Sequence, residues 1–156
     1  MMAPRHGGGM LGHRVTVGWA HLFTGSCVGV PLSPPAIELV SIVDDDPFVR
    51  GATSSLVRSF GWRAREFACA SDFLASDALS GTNCLVCDVQ MAGMDGVALL
   101  EKLEVEGIRI PTLFITAFAS ARNRERVQAS SALCLIEKPI DAAELETWIS
   151  RALGHG

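Results

Sequence analysis

Cys84-Leu85-Val86-Cys87-Asp88-Val89-Gln90-Met91-Ala92-Gly93-Met94-Asp95-Gly96 is the stretch that decides the fold. Four apolar residues run into an aspartate, and a turn containing two glycines follows. A short, wholly apolar run suits a strand buried on both faces, as in a parallel sheet covered by helices. Open α/β sheets gather their chemistry outside the carboxyl ends of their strands, which is where Asp88 stands. Beyond it, Asp95-Gly96 opens a helix that carries Val97, Leu100 and Leu103 on one side.

The same unit repeats outward in both directions. Leu39–Val43 is a first apolar strand, and Asp46 caps a helix that begins at Pro47. Val49, Ala52, Thr53, Leu56 and Phe60 recur at helical spacing, and Gly61 ends that helix. Trp62–Phe67 is a second strand, followed by a short helix through Phe73-Leu74 that Ser71 is expected to cap. Pro111–Ile115 is a fourth strand, and a polar helix spans about 120–130 with Arg122, Arg124, Glu125 and Arg126. Leu133–Ile136 is a fifth strand. The last helix starts near Asp141 and buries Leu145, Trp148, Ile149 and Ala152. Five short apolar strands alternating with five helices predict an α/β fold with a doubly wound parallel sheet.

At 156 residues, 49% hydrophobic and 19% charged, the chain supports one domain with a real core. A formal net charge of −4 and the lack of a long basic run count against nucleic acid as a partner. Residues 1–36 read as a leader outside the domain, either disordered or added by a start codon placed early. Gly7-Gly8-Gly9, Pro31 and Pro34-Pro35 interrupt it, and no apolar period is sustained. Val15 to Ile37 lacks Asp, Glu, Lys and Arg, yet Gly, Thr, Ser, Pro and His21 dilute it below a spanning helix. Residues 37–154 form the domain. No membrane association and a cytoplasmic location are expected.

Cysteines 27, 69, 84, 87 and 134 are odd in number and scattered, unlike a disulfide framework. Cys84 and Cys87 are three apart on a strand and should point to opposite faces, so a shared metal or disulfide is not expected. The four histidines lie near the chain ends, which leaves the body without a zinc cluster or a His-based triad.

Right-handed crossovers bring the carboxyl ends of parallel strands to one edge. Those ends supply Asp44 and Asp45, Asp88, Thr116 and Lys138. Carboxylates about 4 Å apart at an effective dielectric near 20 repel by about 4 kcal/mol. Such a cluster either holds a proton or binds a cation. Hard oxygen donors favour Mg²⁺, which takes one or two carboxylates and phosphate oxygens. Asp88 then suits a nucleophile for phosphoryl transfer, with Lys138 and the Thr116 hydroxyl meeting the transferring oxygens.

Residues 38–153 resemble a response-regulator receiver domain, the family of the chemotaxis receiver and of FixJ-type transcription regulators. The stretches that carry the resemblance are Ile42–Arg50, Cys87–Gly96, Phe114-Ile115-Thr116-Ala117 and Ile136-Glu137-Lys138-Pro139. The resemblance implies a flavodoxin-like fold of five βα units with strand order 2-1-3-4-5. It implies that Asp88 is the phosphorylated aspartate, that Asp44 and Asp45 organise Mg²⁺ together with Asp88 and the Gln90 backbone carbonyl, and that Thr116 and Lys138 contact the phosphoryl group. It also implies a Pro139 peptide bond that is often cis. Asp46 and Asp95 match no ligand position and are explained by capping and turn formation.

Two positions depart from the family pattern. Ala92 stands where proline is usual, which should loosen the loop by about 0.4–1 kcal/mol. Leu135 replaces the usual Tyr or Phe of the switch. The expected function is a stand-alone receiver that takes a phosphoryl group from the phosphohistidine of a sensor kinase or phosphotransfer protein. It would catalyse only its own phosphorylation and dephosphorylation, and would act on a downstream protein through the fourth helix, fifth strand and fifth helix; a homodimer formed on phosphorylation is a further expectation. The alternatives are a degenerate receiver acting as a constitutive interaction domain, and a haloacid-dehalogenase-type phosphohydrolase built on Asp44 and Asp46. Against the second, no acidic pair closes a strand after Lys138, and the turn after Asp88 would have no role.

Overall fold

A computed structural model describes residues 36–155. The leader expected at 1–36 and Cys27 therefore lie, apart from Ala36, outside the described residues. The elements are β1 (Leu39–Val43), α1 (Pro47–Ser59), β2 (Arg63–Phe67), α2 (Ala70–Leu74), β3 (Cys84–Asp88), α3 (Gly96–Val105), β4 (Thr112–Thr116), α4 (Ala121–Gln128), β5 (Cys134–Glu137) and α5 (Ala142–Ala152). A 3-10 turn at Asp77–Gly81, absent from the sequence reading, precedes β3.

All strand pairs are parallel, in the order β2-β1-β3-β4-β5. This is the flavodoxin-like arrangement. Every residue of β1, β3 and β4 is buried, as their apolar runs require, whereas the edge strand β2 exposes Arg63 and Glu66. The strand period divides the core in two. Val43, Leu85, Cys87 and Phe114 pack on one face with Leu99, Leu100 and Leu103 of α3, and Val40, Ile42, Cys84, Val86 and Ile115 pack on the other with Val57, Leu145 and Ile149. Cys84 and Cys87 accordingly sit in different layers.

Asp46 caps α1 through Phe48 N and Val49 N, Ser120 caps α4, and Asp141 caps α5. Several details differ from the sequence reading. On α5 only Leu145 and Ile149 are buried, with Trp148 and Ala152 partly so, and Pro111 lies outside β4. The innermost α1 positions are Thr53, Ser54 and Val57, with Val49, Leu56 and Phe60 only partly buried. Cys69, not Ser71, takes the N-cap place of α2, and its side chain makes no capping bond. Trp62 lies outside β2, its N–H directed to Val57 O, and Leu133 lies outside β5.

Candidate functional site

The register puts the reactive strand ends side by side. Val43 of β1 pairs with Cys87 of β3, so Asp44 and Asp88 follow at neighbouring positions. Asp88 pairs with Ile115, which makes Thr116 the next residue on β4. Thr116 pairs with Glu137 of β5, one residue before Lys138. Lys138 N donates to Thr116 O at 2.8 Å, and the Lys138–Pro139 peptide is cis.

Carboxylate oxygens of Asp44, Asp45 and Asp88 lie within 4.8 Å of one another. Asp44 is fully buried and Asp88 is 5% exposed, while Asp45 is open to solvent. Lys138 reaches back over the group, with Nζ 3.0 Å from Asp44 Oδ2 and 3.4 Å from Asp88 Oδ2. The second Asp44 oxygen accepts from Asp46 N at 2.8 Å, and Asp88 Oδ1 accepts from Gln90 N at 3.2 Å. Arg50, a residue the motif reading gave no role, donates to the Asp44 carbonyl at 2.7 Å and ties α1 to the end of β1.

The charges on these groups follow from their surroundings. Burial raises the Asp88 carboxyl above its usual value, and the Asp44 charge adds to this, while Lys138 and the Gln90 N–H oppose it. Burial disfavours the Lys138 ammonium, but the Asp44 hydrogen bond and the Asp88 and Asp44 charges raise its pKa on balance. The set of three hard oxygen donors around one lysine fits a small divalent cation with part of its coordination left to water and ligand oxygens.

Ala92 contributes more than lost rigidity. Its N–H donates to Asp45 Oδ2 at 3.3 Å, a bond that a proline at this position lacks the hydrogen to make. The loop after Asp88 is thereby joined to the loop after β1 through Asp45. Gly96, at the start of α3, packs so closely beneath Asp88 that a Cβ would stand 2.3 Å from the Asp88 carbonyl oxygen. Asp95 caps α3 through Ala98 N and also takes two bonds from Arg126 of α4, at 2.9 and 3.2 Å.

The three arginines of α4 are not equivalent. Arg126 pairs with Asp95 and Arg124 with Glu137 of β5, while Arg122 is exposed beside a cleft of about 530 Å³ also lined by Gln90, Ser120 and Asn123. Leu135 is half-buried and packs against the Phe114 layer. The Thr116 hydroxyl is fully buried and donates to Phe118 O at 3.1 Å.

The profile of a family described as the response regulator receiver domain matches residues 40–150. The chain belongs to that family. The receiver is 33% identical over 138 residues to the response regulator protein TodT of Pseudomonas putida, covering 86% of this chain and 61% of that protein. It is 35% identical over 116 residues to the response regulator protein TmoT of Ectopseudomonas mendocina, covering 74% of this chain and 53% of TmoT. The chain thus spans roughly half the length of these curated relatives. Among solved structures, a response regulator receiver protein from Burkholderia phymatum is 32% identical with a TM-score of 0.65, over 76% of this chain and 97% of that one. FixJ-N is 30% identical with a TM-score of 0.68, over 76% of this chain and 95% of that one. Receiver domains serve two-component signalling, and no described helix of this one is long and apolar enough to cross a membrane.

Proposed function

We propose that this receiver accepts a phosphoryl group on Asp88 from a phosphohistidine of a sensor kinase or phosphotransfer protein, in the cytoplasm. The observation that carries the reading is the packing of the Asp44, Asp45 and Asp88 oxygens within 4.8 Å of one another, with Lys138 bonded to two of the three. Asp44, Asp45, Asp88 and the Gln90 carbonyl would hold Mg²⁺. When bound, it neutralises charge on the phosphoryl oxygens and lets several carboxylates ionise together.

One Asp88 oxygen attacks phosphorus as the bond from phosphorus to the imidazole nitrogen breaks, and the electron pair leaves with the ring. The Gln90 N–H holds Asp88 Oδ1, which orients the carboxylate for attack by its other oxygen. That other oxygen, Oδ2, is the one beside the Lys138 ammonium, so positive charge waits where the phosphoryl group arrives. Thr116 turns its hydroxyl toward a phosphoryl oxygen once one is present. The chain catalyses its own phosphorylation and hydrolysis, and signals to a downstream protein through the face formed by α4, β5 and α5.

Treatment with a small acyl phosphate and Mg²⁺, read by intact mass, tests this. The protein should gain one phosphoryl group, and Asp88→Asn should gain none. Uptake by Asp88→Asn at the wild-type rate, or none by wild type with either the small donor or a kinase, overturns the assignment.

A further inference from the structure

We propose that Arg50 is a positioning residue for the acidic site: it fixes the Asp44–Asp45 peptide and thereby aims the exposed Asp45 carboxylate. The paired positions of β1 end at Val43, so the Asp44 carbonyl lies beyond the ladder. Arg50 Nη1 donates to it at 2.7 Å, a short bond from a charged donor, which is the stronger class of hydrogen bond. The rest of the turn is held by its own backbone. Asp44 N donates to Phe67 O at 3.1 Å, Asp46 N to Asp44 Oδ1 at 2.8 Å, and Arg50 N to Asp46 O at 2.9 Å. Arg50 therefore closes the turn twice, by its backbone on Asp46 and by its side chain on Asp44.

Asp45 stands between these two closures and has little else to hold it. It is exposed, and among the described residues its carboxylate takes one hydrogen bond, from Ala92 N at 3.3 Å. Asp44 differs, since its carboxylate is buried and fixed by Lys138 and by Asp46 N. Of the two neighbouring acids, Asp45 is the one that takes its direction from the main chain. The Arg50 bond sets the plane of the peptide from which it projects.

The guanidinium acts by geometry rather than by charge. Among the described residues it forms no ion pair with Asp44, Asp45 or Asp88, and its acidic neighbour is Glu66 of β2, 4.0 Å from Nε. The two roles have opposite signs. A positive charge beside a cation site repels the cation, so loss of charge alone would tighten binding. Loss of a positioning bond weakens it. Arg58, on the same helix, supplies the comparison. It also ties α1 to the sheet, by a bond to Ala64 O at 3.1 Å and a contact with Glu66 at 3.5 Å, but Ala64 lies near the start of β2, away from the acids. The cation half of this inference rests on the proposed Mg²⁺ reading of the site; the loop half does not.

Nuclear magnetic resonance of the full chain tests both halves in wild type, Arg50→Ala and Arg58→Ala. Without metal, the Asp45 amide order parameter should fall from the rigid range at about 0.85 toward about 0.6 in Arg50→Ala, and stay rigid in Arg58→Ala. Titration with Mg²⁺ alone, followed by the Asp45 and Gln90 amide shifts, should give an affinity about tenfold weaker in Arg50→Ala, the usual cost of losing a group that orients a ligand. Arg58→Ala should match wild type. If Arg50→Ala does not fold, Arg50→Gln keeps part of the aliphatic stem without the reach and should show both effects. An unchanged Asp45 order parameter, or Mg²⁺ affinity equal to wild type or tighter, overturns the proposal. So does equal loosening in Arg58→Ala, the behaviour of any tie between helix and sheet. Wild type that binds no Mg²⁺ counts against the cation site, while the metal-free order parameter still decides the role of Arg50.

Discussion

Lys138 Nζ lies 3.0 Å from Asp44 Oδ2, across 94 positions of sequence, and its contact with Asp88 is longer at 3.4 Å. The lysine is thus bonded more closely to the fully buried carboxylate than to the nucleophile of the proposed reaction. Asp44 is fixed on both sides, by Lys138 at one oxygen and by Asp46 N at the other. Asp88 keeps the looser contact, which leaves its Oδ2 free to change partners during phosphoryl transfer. The arrangement also leaves part of the Asp88 charge uncompensated in a buried setting, with a consequence for stability.

Burial, aided by Asp44, raises the Asp88 carboxyl above its unfolded value near 3.9. A raised acid binds more protons folded than unfolded, so stability falls as pH rises from the unfolded value through the folded one. Asp88→Asn removes this dependence. In buffer free of divalent cations the variant should be more stable than wild type at pH 7, with the difference shrinking toward pH 4. Urea unfolding at both pH values measures it, and equal stability at pH 7 contradicts the account. Saturating Mg²⁺ should narrow the gap, since it stabilises the folded wild type.

Asp95 should show the opposite dependence. Burial works against its charge, but the Arg126 hydrogen bonds, the Ala98 N–H and the Arg126 charge hold it below the ordinary carboxylate value. Its stabilisation is present above pH 3.9 or so and is lost as pH falls through the folded value. Asp95→Ala removes both the α3 cap and the tie to α4, and should cost about 1–2 kcal/mol at pH 7. Arg126→Ala leaves the cap in place and should cost less. Denaturant midpoints of the two variants, read at pH 7 and pH 3, check both the size and the sign.

The strands were legible because β1, β3 and β4 are buried on both faces and therefore mostly apolar, with Ser41 and Thr112 the polar residues inside the runs. The strand-end positions of Asp44, Asp88, Thr116 and Lys138 followed from the same runs, since a parallel sheet puts these ends at one edge. The contacts that tune the site were not legible. Ala92 acts through a backbone N–H, which leaves no mark in the side-chain sequence. Arg126 and Asp95 are 31 residues apart on different helices, and only the packing of α4 beside α3 brings them together. Arg50 reads as an ordinary polar helix residue until the Asp44 carbonyl is seen beside it. The α2 cap was misassigned because Ser71 has a capping side chain, while the backbone makes its turn at Cys69 without one.

Ser54 is fully buried on α1, and its hydroxyl has no hydrogen-bond partner among the described residues. A buried hydroxyl without a partner carries its desolvation cost uncompensated, and alanine is the better helix former. Ser54→Ala should stabilise the domain by about 1 kcal/mol, seen as a higher urea midpoint with an unchanged slope. A loss of stability would mean that the hydroxyl has a partner, such as a bound water.

Gly96 sets how closely α3 approaches the end of β3. A Cβ there would lie 2.3 Å from the Asp88 carbonyl oxygen and 3.0 Å from both Cys87 Sγ and a Phe114 ring carbon. The first of these is backbone and cannot swing aside, so either α3 or the Asp88 segment must move. Gly96→Ala should therefore destabilise by about 1–3 kcal/mol despite the better helix propensity of alanine. Movement of the Asp88 segment would also weaken cation binding at the site. Thermal unfolding with and without Mg²⁺ separates the two effects: the variant should melt lower, and the stabilisation it gains from Mg²⁺ should be smaller than in wild type. Retention of the full Mg²⁺ gain would place the whole displacement in α3.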